Sequence, residues 1–507
     1  MELNKHICTQ LIEKSKSFSQ ITLDDDYIVR DNKPDVVHVI YSKGHILIED
    51  VKAGNQGLWI TGKLLFSTLY QSDDEYHRLE SVNGEVPFQE KVMMDDIVEG
   101  DDVIVNIEIE DLSVGIINSR KLSIRTVANV STRNLEEEDF ALTSLILNPG
   151  YEQKTKEHSV LCLVQNTKEQ LRMQKEMLLP NSRSNIGQLT FYQVDFRNEE
   201  IQLHEDSAQL KTDAHIWMLY RSESSGEYEC FETVIPLSGD LELGGLQGDE
   251  IFWAKIQPLE VELEPRSDYD GENRMLGLDL ILSVEIQIYR EEEVCLLEDA
   301  YALDKELSIH HERIPLHQLL VKNISKIRLM EQEQLEPHQQ RILQICGSSG
   351  SITIDRVHKR DNGIHVEGIL NVHILYNTTD DSMPFAHTSS QLPFEQFIEI
   401  DRFTDNSLWW MQQNIEQLQV NLLDSNEFEI KALLQIAVLA IDQQYISNIQ
   451  SLDEQDLDIE TLQKQPGMIG YIRRDGEDLW DVAKKYHATT ENMIEIGNKV
   501  LVVKQVR

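Results

Sequence analysis

The sequence predicts a mainly β chain: tandem β-rich domains, each a sandwich or small barrel, joined by helical connectors and closed by a small α+β module. Three observations lead there. The chain has 507 residues, which at roughly 150 residues per domain asks for three or four units. A set of landmarks recurs at about that interval. The segments between them alternate apolar and polar residues with the period of a strand.

Each landmark set centres on a tyrosine. WITGKLLFSTLY (Trp59 to Tyr70) is followed by EVPF, LKTDAHIWMLY (Leu210 to Tyr220) by VIPL, and IHVEGILNVHILY (Ile364 to Tyr376) by QLPF. The tyrosine precedes the proline (Pro87, Pro236, Pro393) by 17, 16 and 17 residues, and successive tyrosines are 150 and 156 apart. Upstream, Pro34, Pro180 and Pro337 lie in polar turns 36, 40 and 39 residues before the tyrosine. Downstream come paired alternating runs such as Leu112 to Val130 and Leu418 to Val438; the middle copy has the longer turn PRSDYDGENR. β-branched and aromatic enrichment with Asn, Asp and Ser at the turns argues for antiparallel hairpins.

Leu135 to Ile146 and Asn166 to Leu179 carry Leu and Met near i, i+3, i+4 spacing, so helical connectors are expected there. The expected divisions are 1–140, 141–330 and 331–450 for the three repeats, an acidic linker at 451–466, and a module at 467–507.

Lys plus Arg number 46 against 89 Asp plus Glu, a formal charge of −43. Nucleic acid rewards basic surface through counterion release, so it is excluded as a partner, and an anionic membrane is disfavoured for the same reason. The N-terminal MELNKHICTQLIEKSKSFSQ lacks a secretory apolar stretch, and no run approaches the ~18 apolar residues of a membrane span. A cytoplasmic location without direct membrane insertion is therefore expected. The five cysteines are at least 65 residues apart and form no CxxC pair, so buried free thiols are expected.

No catalytic, cofactor or metal constellation emerges. His310-His311-Glu312 lacks the i, i+4 histidine pair of a zinc helix and reads as a surface turn. Cys346 to Ser351 is Gly-rich without the GK[ST] of a phosphate loop and reads as a flexible loop. Asp268 to Glu272 reads as a hairpin turn on Asp-Gly rather than a calcium loop. Acidic clusters such as Glu90 to Asp102 follow from composition, so the chain is not expected to be an enzyme. Trp409 and Trp410 differ, because adjacent aromatics cannot both face one core; a contact patch and core packing with one partly covered ring both remain open.

The module reads locally as a short strand at Met468 to Ile472, a turn at Asp475-Gly476, and a helix capped by Asp478. Leu479, Val482, Ala483 and Tyr486 form the helix's buried stripe. Thr489 and Thr490 are placed to cap a second helix carrying Met493 and Ile494. Tyr471, Ile472, Gly476, Leu479, Trp480, Val482, Ala483 and Tyr486, in that order, resemble the LysM family. The closing strand, Gly497 to Val503, arrives about eight residues early. That removes one wall of the groove in which LysM modules bind N-acetylglucosamine glycans and argues against glycan binding.

The recurring landmarks resemble the SPOCS domain of spore-forming Firmicutes: Pro34, Asp35, Tyr70, Pro87 and Phe88; Pro180, Tyr220 and Pro236; Gly368, Tyr376, Pro393 and Phe394. The middle copy departs, with Leu237 after its proline. SPOCS domains followed by a LysM module resemble a family of spore coat morphogenetic proteins. The resemblance implies a non-enzymatic assembly adaptor without cofactors, in the mother-cell cytoplasm at the forespore surface. Its implied partners are a SpoIVA-type coat ATPase, met through the LysM-like module, and other coat proteins. On this module the expected contact residues are Arg473, Arg474, Asp475, Gly476, Glu477 and Asp478 around the first turn, with Trp480, Lys484 and Lys485 on the helix. The alternative, a peptidoglycan- or chitin-binding protein of the cell wall or spore cortex, predicts pelleting with insoluble peptidoglycan.

Overall fold

The computed structural model describes residues 2–54, 57–73, 78–360, 362–380, 382–457 and 466–503. Strand dominates. The first repeat runs β1 (Leu3–Ile28), β2 (Val36–Gly54), β3 (Gly57–Ser72), β4 (Leu79–Val92), β5 (Val103–Asn118) and β6 (Lys121–Ile146). Its antiparallel sheets, ordered β1-β6-β5 and β2-β3-β4, pack face to face around Leu64, Tyr70, Leu122 and Val130.

The second repeat repeats this order with β7 (Tyr151–Leu178), β8 (Ile186–Leu203), β9 (Ser207–Ser222), β10 (Tyr228–Glu242), β11 (Ile251–Arg266) and β12 (Met275–Ala302). The third does so with β13 (Lys305–Gln334), β14 (Ile342–Arg360), β15 (Gly363–Thr378), β16 (Phe385–Glu399), β17 (Leu408–Asp424) and β18 (Glu427–Asp456). The mainly β expectation holds.

The landmarks now have physical causes. Each tyrosine is fully buried; the Tyr70 hydroxyl donates to the Pro34 carbonyl (3.1 Å) in the upstream turn, and the Tyr220 hydroxyl lies 3.5 Å from the Ser184 carbonyl of its upstream turn while donating to Glu229 at 2.7 Å. Pro87, Pro236 and Pro393 lie on β4, β10 and β16, each an edge strand, where a missing N–H costs no ladder bond. The residue after the proline covers the central strand: Phe88 pairs with Gly62 and Phe394 with Gly368. A Cβ at either glycine would come within 2.8 Å of the phenylalanine ring. In the middle copy Leu237 pairs with Thr212. The smaller side chain there accommodates the Cβ, so the departure is a compensated pair.

Several expectations are corrected. Both helical connectors are strand, lying within β6 and β7. Their inward apolar residues, Phe140, Leu142 and Ile146 on one and buried Met173 and Leu179 with half-buried Leu171 and Met177 on the other, are separated by even intervals that satisfy a strand as well as a helix turn. The divisions expected near 140 and 330 cut through β6 and β13, and 451–456 completes β18 rather than starting a linker; most of the remaining linker lies outside the described residues. Cys346 to Ser351 lies in β14 and His310 to Glu312 in β13. Cys8 is bonded to Cys162 and Cys230 to Cys346, with Cα atoms 5.3 and 5.1 Å apart, while Cys295 is free and exposed. These partners lie on different repeats, so their sequence separations of 154 and 116 gave no local signal.

The repeats do not hang as separate beads. Equivalent positions of all three meet at two apolar hubs. One gathers Cys8, Leu142, Val160, Leu296, Ile314 and Leu316 from the long antiparallel strand pairs β1/β6, β7/β12 and β13/β18. The other gathers Leu69, Leu219 and Leu375, all at most 1% exposed, with Tyr41, Phe191 and Trp217. The arrangement approximates a three-fold, and about 25 cal/mol per Å² of buried apolar surface favours it.

The C-terminal module has β19 (Met468–Ile472), helix α1 (Leu479–Tyr486), a 3-10 turn (Thr490–Asn492), β20 (Met493–Ile496) and β21 (Lys499–Val503), with sheet order β19-β21-β20. Asp478 caps α1, accepting from the Asp481 amide at 2.9 Å, while the Asp481 side chain accepts from the Asp478 amide. The expected second helix is only the 3-10 turn, and Met493 begins a strand.

Candidate functional site

The module's first helix is seated on the end of the β7/β12 strand pair. The Trp480 indole donates to the Asp299 carboxylate at 2.8 Å and stacks edge-on against Tyr301, with ring centroids 4.8 Å apart. Lys484 reaches the second oxygen of Asp299, and Lys154 pairs with Asp478 at 3.0 Å. The Tyr301 hydroxyl donates to the Ala488 carbonyl at 2.8 Å, and His487 Nδ1 lies 2.9 Å from the Ala302 carbonyl. Of the residues expected to meet a partner, Trp480, Lys484 and Asp478 are thus engaged within the chain.

The others remain on the far side. Arg474, Asp475, Gly476 and Lys485 are exposed, and Gly476 turns at a positive φ of 89° that favours glycine. Glu477 accepts from the Arg474 amide and the Tyr471 hydroxyl, both at 2.9 Å, and the amide bond holds its carboxyl below the usual range. Arg473 pairs with Glu495 and donates to the Gly497 carbonyl at 3.2 Å. Lys485 lies 4.8 Å from the Tyr471 ring centroid.

One surface was not found from sequence. Met468, Ile472, Ile494 and Ile496 are 61%, 61%, 53% and 73% exposed. Strand alternation places all four on the outer face of the module's sheet, opposite buried Val500 and Val502. The signal was present as alternation in two short strands; reading Met493 and Ile494 as helical hid it. Trp409 and Trp410 instead serve two cores: Trp409 packs on the third repeat's sandwich, and Trp410, 8% exposed, joins an inter-repeat cluster under the Arg133 guanidinium at 5.6 Å.

Between the hubs all three repeats line a cavity of about 960 Å³. Arg197 faces Asp195 at 3.5 Å and donates to the Leu418 carbonyl of the third repeat at 3.3 Å. Burial pushes the Asp195 carboxyl up, and it pushes Glu199 up to about 7, beside the Asn414 amide at 3.5 Å. Lys43, bonded to the Tyr192 carbonyl, is pushed down to about 8 by burial, with Asp195 opposing. These charges join repeats across the cavity.

Each repeat is thus a sandwich of two three-stranded antiparallel sheets. The family model for the SipL, SPOCS domain matches residues 35–117 and 341–423, which span most of β2 to β5 and β14 to β17. Two of the three repeats therefore carry a SPOCS domain of the SipL type, which points to a sporulation coat-related protein. No curated protein and no solved structure matches. Among the described residues no helix is long and apolar enough to cross a membrane.

Proposed function

We propose that the chain is a non-enzymatic adaptor of spore coat assembly, working in the mother-cell cytoplasm at the forespore surface and docking on a SpoIVA-type ATPase through its C-terminal LysM-like module. The observation that carries this reading is the pair of SPOCS matches on a body with a terminal module whose apolar sheet face is left uncovered. The module is near charge balance on a chain of −43, so it approaches an acidic partner with little repulsion. The glycan groove of a LysM module would need a longer second helix and loop than the 3-10 turn provides, which favours a protein ligand.

The test is capture of the purified ATPase by the full chain and by a chain ending at Pro466. Capture by the first alone supports the reading. Ile494→Glu with Ile496→Glu is expected to abolish capture, and reversing Arg473 and Arg474 to Glu to weaken it. Capture by both chains moves docking to the β body, and capture by neither removes the ATPase as partner.

A further inference from the structure

At the first hub, four side chains of the types that bind zinc converge from three strands. His6 and Cys8 are two residues apart on β1 and so share one face of the strand, Cys162 lies on β7 and Glu292 on β12. One donor atom each from His6, Cys162 and Glu292 lies within 4.8 Å of the others, and Cys8 is bonded to Cys162. Cys8 is fully buried and Cys162 is 5% exposed. His6 Nε2 is 2.9 Å from the Glu292 carboxylate, yet it is a buried ring nitrogen without a hydrogen bond. The two polar atoms are close but not aligned on each other, as two ligands of one ion would be. The Gln10 side-chain amide, 1% exposed, donates to the Cys8 sulfur at 3.8 Å, the kind of outer contact that steadies a thiolate ligand.

We propose that, with the Cys8–Cys162 bond reduced, His6, Cys8, Cys162 and Glu292 form a tetrahedral site for zinc, one ion per chain, tying the first repeat to the second. The dimensions fit. Zinc–sulfur bonds of about 2.3 Å at the tetrahedral angle put two sulfurs about 3.8 Å apart, and zinc bonds of about 2.0–2.2 Å put a nitrogen and a carboxylate oxygen about 3.4 Å apart. Each pair needs only a side-chain adjustment from the arrangement seen. Borderline-soft zinc suits mixed sulfur, nitrogen and oxygen donors, whereas calcium and magnesium select oxygen alone.

The disulfide and the metal exclude each other. A dithiol reductant supplies two electrons and two protons to Cys8 and Cys162 and itself becomes a disulfide. Zinc then binds the two sulfurs as thiolates and releases two protons. Oxidation back to the disulfide, by an oxidised low-molecular-weight thiol that leaves as two thiols, ejects the ion. The second cross-link, Cys230–Cys346, lies outside any such donor group among the described residues and serves as an internal control.

The experiment uses the full chain, reduced by a phosphine, freed of metal by chelator and confirmed folded by circular dichroism. Cobalt(II) titration is expected to reach one equivalent with a sulfur-to-cobalt charge-transfer band in the near ultraviolet, bleached by zinc. Zinc is expected to protect Cys8 and Cys162 from alkylation while Cys295 and the Cys230–Cys346 pair still react. Cys230→Ser with Cys346→Ser should bind as the parent does, and Cys8→Ser with Cys162→Ser should lose the band. Glu292→Gln and His6→Gln, which leave the hub's apolar packing in place, should each weaken zinc at least about tenfold. A folded, reduced chain that binds no cobalt or zinc overturns the proposal, as does a charge-transfer band that survives Cys8→Ser with Cys162→Ser.

Discussion

Gly347→Ala tests the inter-repeat hub directly. A Cβ at Gly347 in the third repeat would stand 2.5 Å from Cγ of Trp217 in the second. That ring cannot withdraw. It is 4% exposed, stacked on Phe191 at 5.6 Å and tilted against Tyr41 at 6.2 Å. Inserting a methyl into packing of this kind costs about 1–3 kcal/mol. The backbone at Gly347 is not in the left-handed region, so without the ring the substitution would stabilise by about 0.4–1 kcal/mol through the unfolded state. The sign should therefore depend on Trp217. In the parent, Gly347→Ala is expected to destabilise by about 1–2 kcal/mol; after Trp217→Leu it is expected to stabilise by a few tenths or more, a coupling of about 2 kcal/mol. Guanidinium unfolding of the full chain, with both cross-links intact and slopes compared, reads this out. Equal effects in both backgrounds would refute the packing of the third repeat on the second.

Three further outcomes are expected. Glu199 is held protonated up to about pH 7 when folded but releases its proton near 4.5 when unfolded. The native state therefore holds the extra proton between those values and stability falls as pH rises through the window, so Glu199→Gln should stabilise by up to about 3 kcal/mol at pH 8 and by little at pH 4 in denaturation titrations. Replacing Cys230 and Cys346 by Ser opens a loop set by a separation of 116 residues, and chain entropy puts the loss at about 4–5 kcal/mol, read as a lower midpoint under non-reducing conditions. Asp299→Ala removes the acceptor of Trp480 and Lys484 and should raise amide exchange across α1 by about tenfold or more while the β body's midpoint stays put.

The division of the chain into repeats was legible because its landmarks answer local needs: a proline on an edge strand, an aromatic over a glycine, and, in the first two copies, a tyrosine hydroxyl set against a turn. Each leaves a residue at a fixed spacing. Strand length was not legible. Leu171, Met173, Met177 and Leu179 satisfy both periods over so short a run, and what decides for strand is the pairing of β7 with β12 across 27 registered positions from Tyr151 to Leu178. The hubs were invisible for a different reason. Phe191 and Trp217 of the second repeat meet Gly347 of the third only when separate repeats dock, and the same holds for Cys8 with Cys162. For the candidate site, the capped helix and the shortened second half were readable in the module. Its docked face was not, because Asp299 and Tyr301 lie about 180 residues away in the chain.

The shared hubs change how multivalency enters the proposed function. Domains strung on flexible links gain avidity through effective concentration, each free to find its own contact. Here three sandwiches share two apolar hubs, cross-repeat charge contacts at Arg197 and a central cavity, so the β body presents its faces at fixed relative positions. Fixed geometry favours a partner that is itself a regular array, because a match at one face prepays the orientation of the next. The module alone joins the body through 457–467. Its hold on the β7/β12 tip rests on a few polar contacts and one aromatic pair, a smaller bond than the hubs supply. A partner that takes the module's free sheet face need not disturb that seat. One that competes for Trp480 or Lys484 must first displace Asp299, and the Asp299→Ala variant would then bind more tightly than the parent.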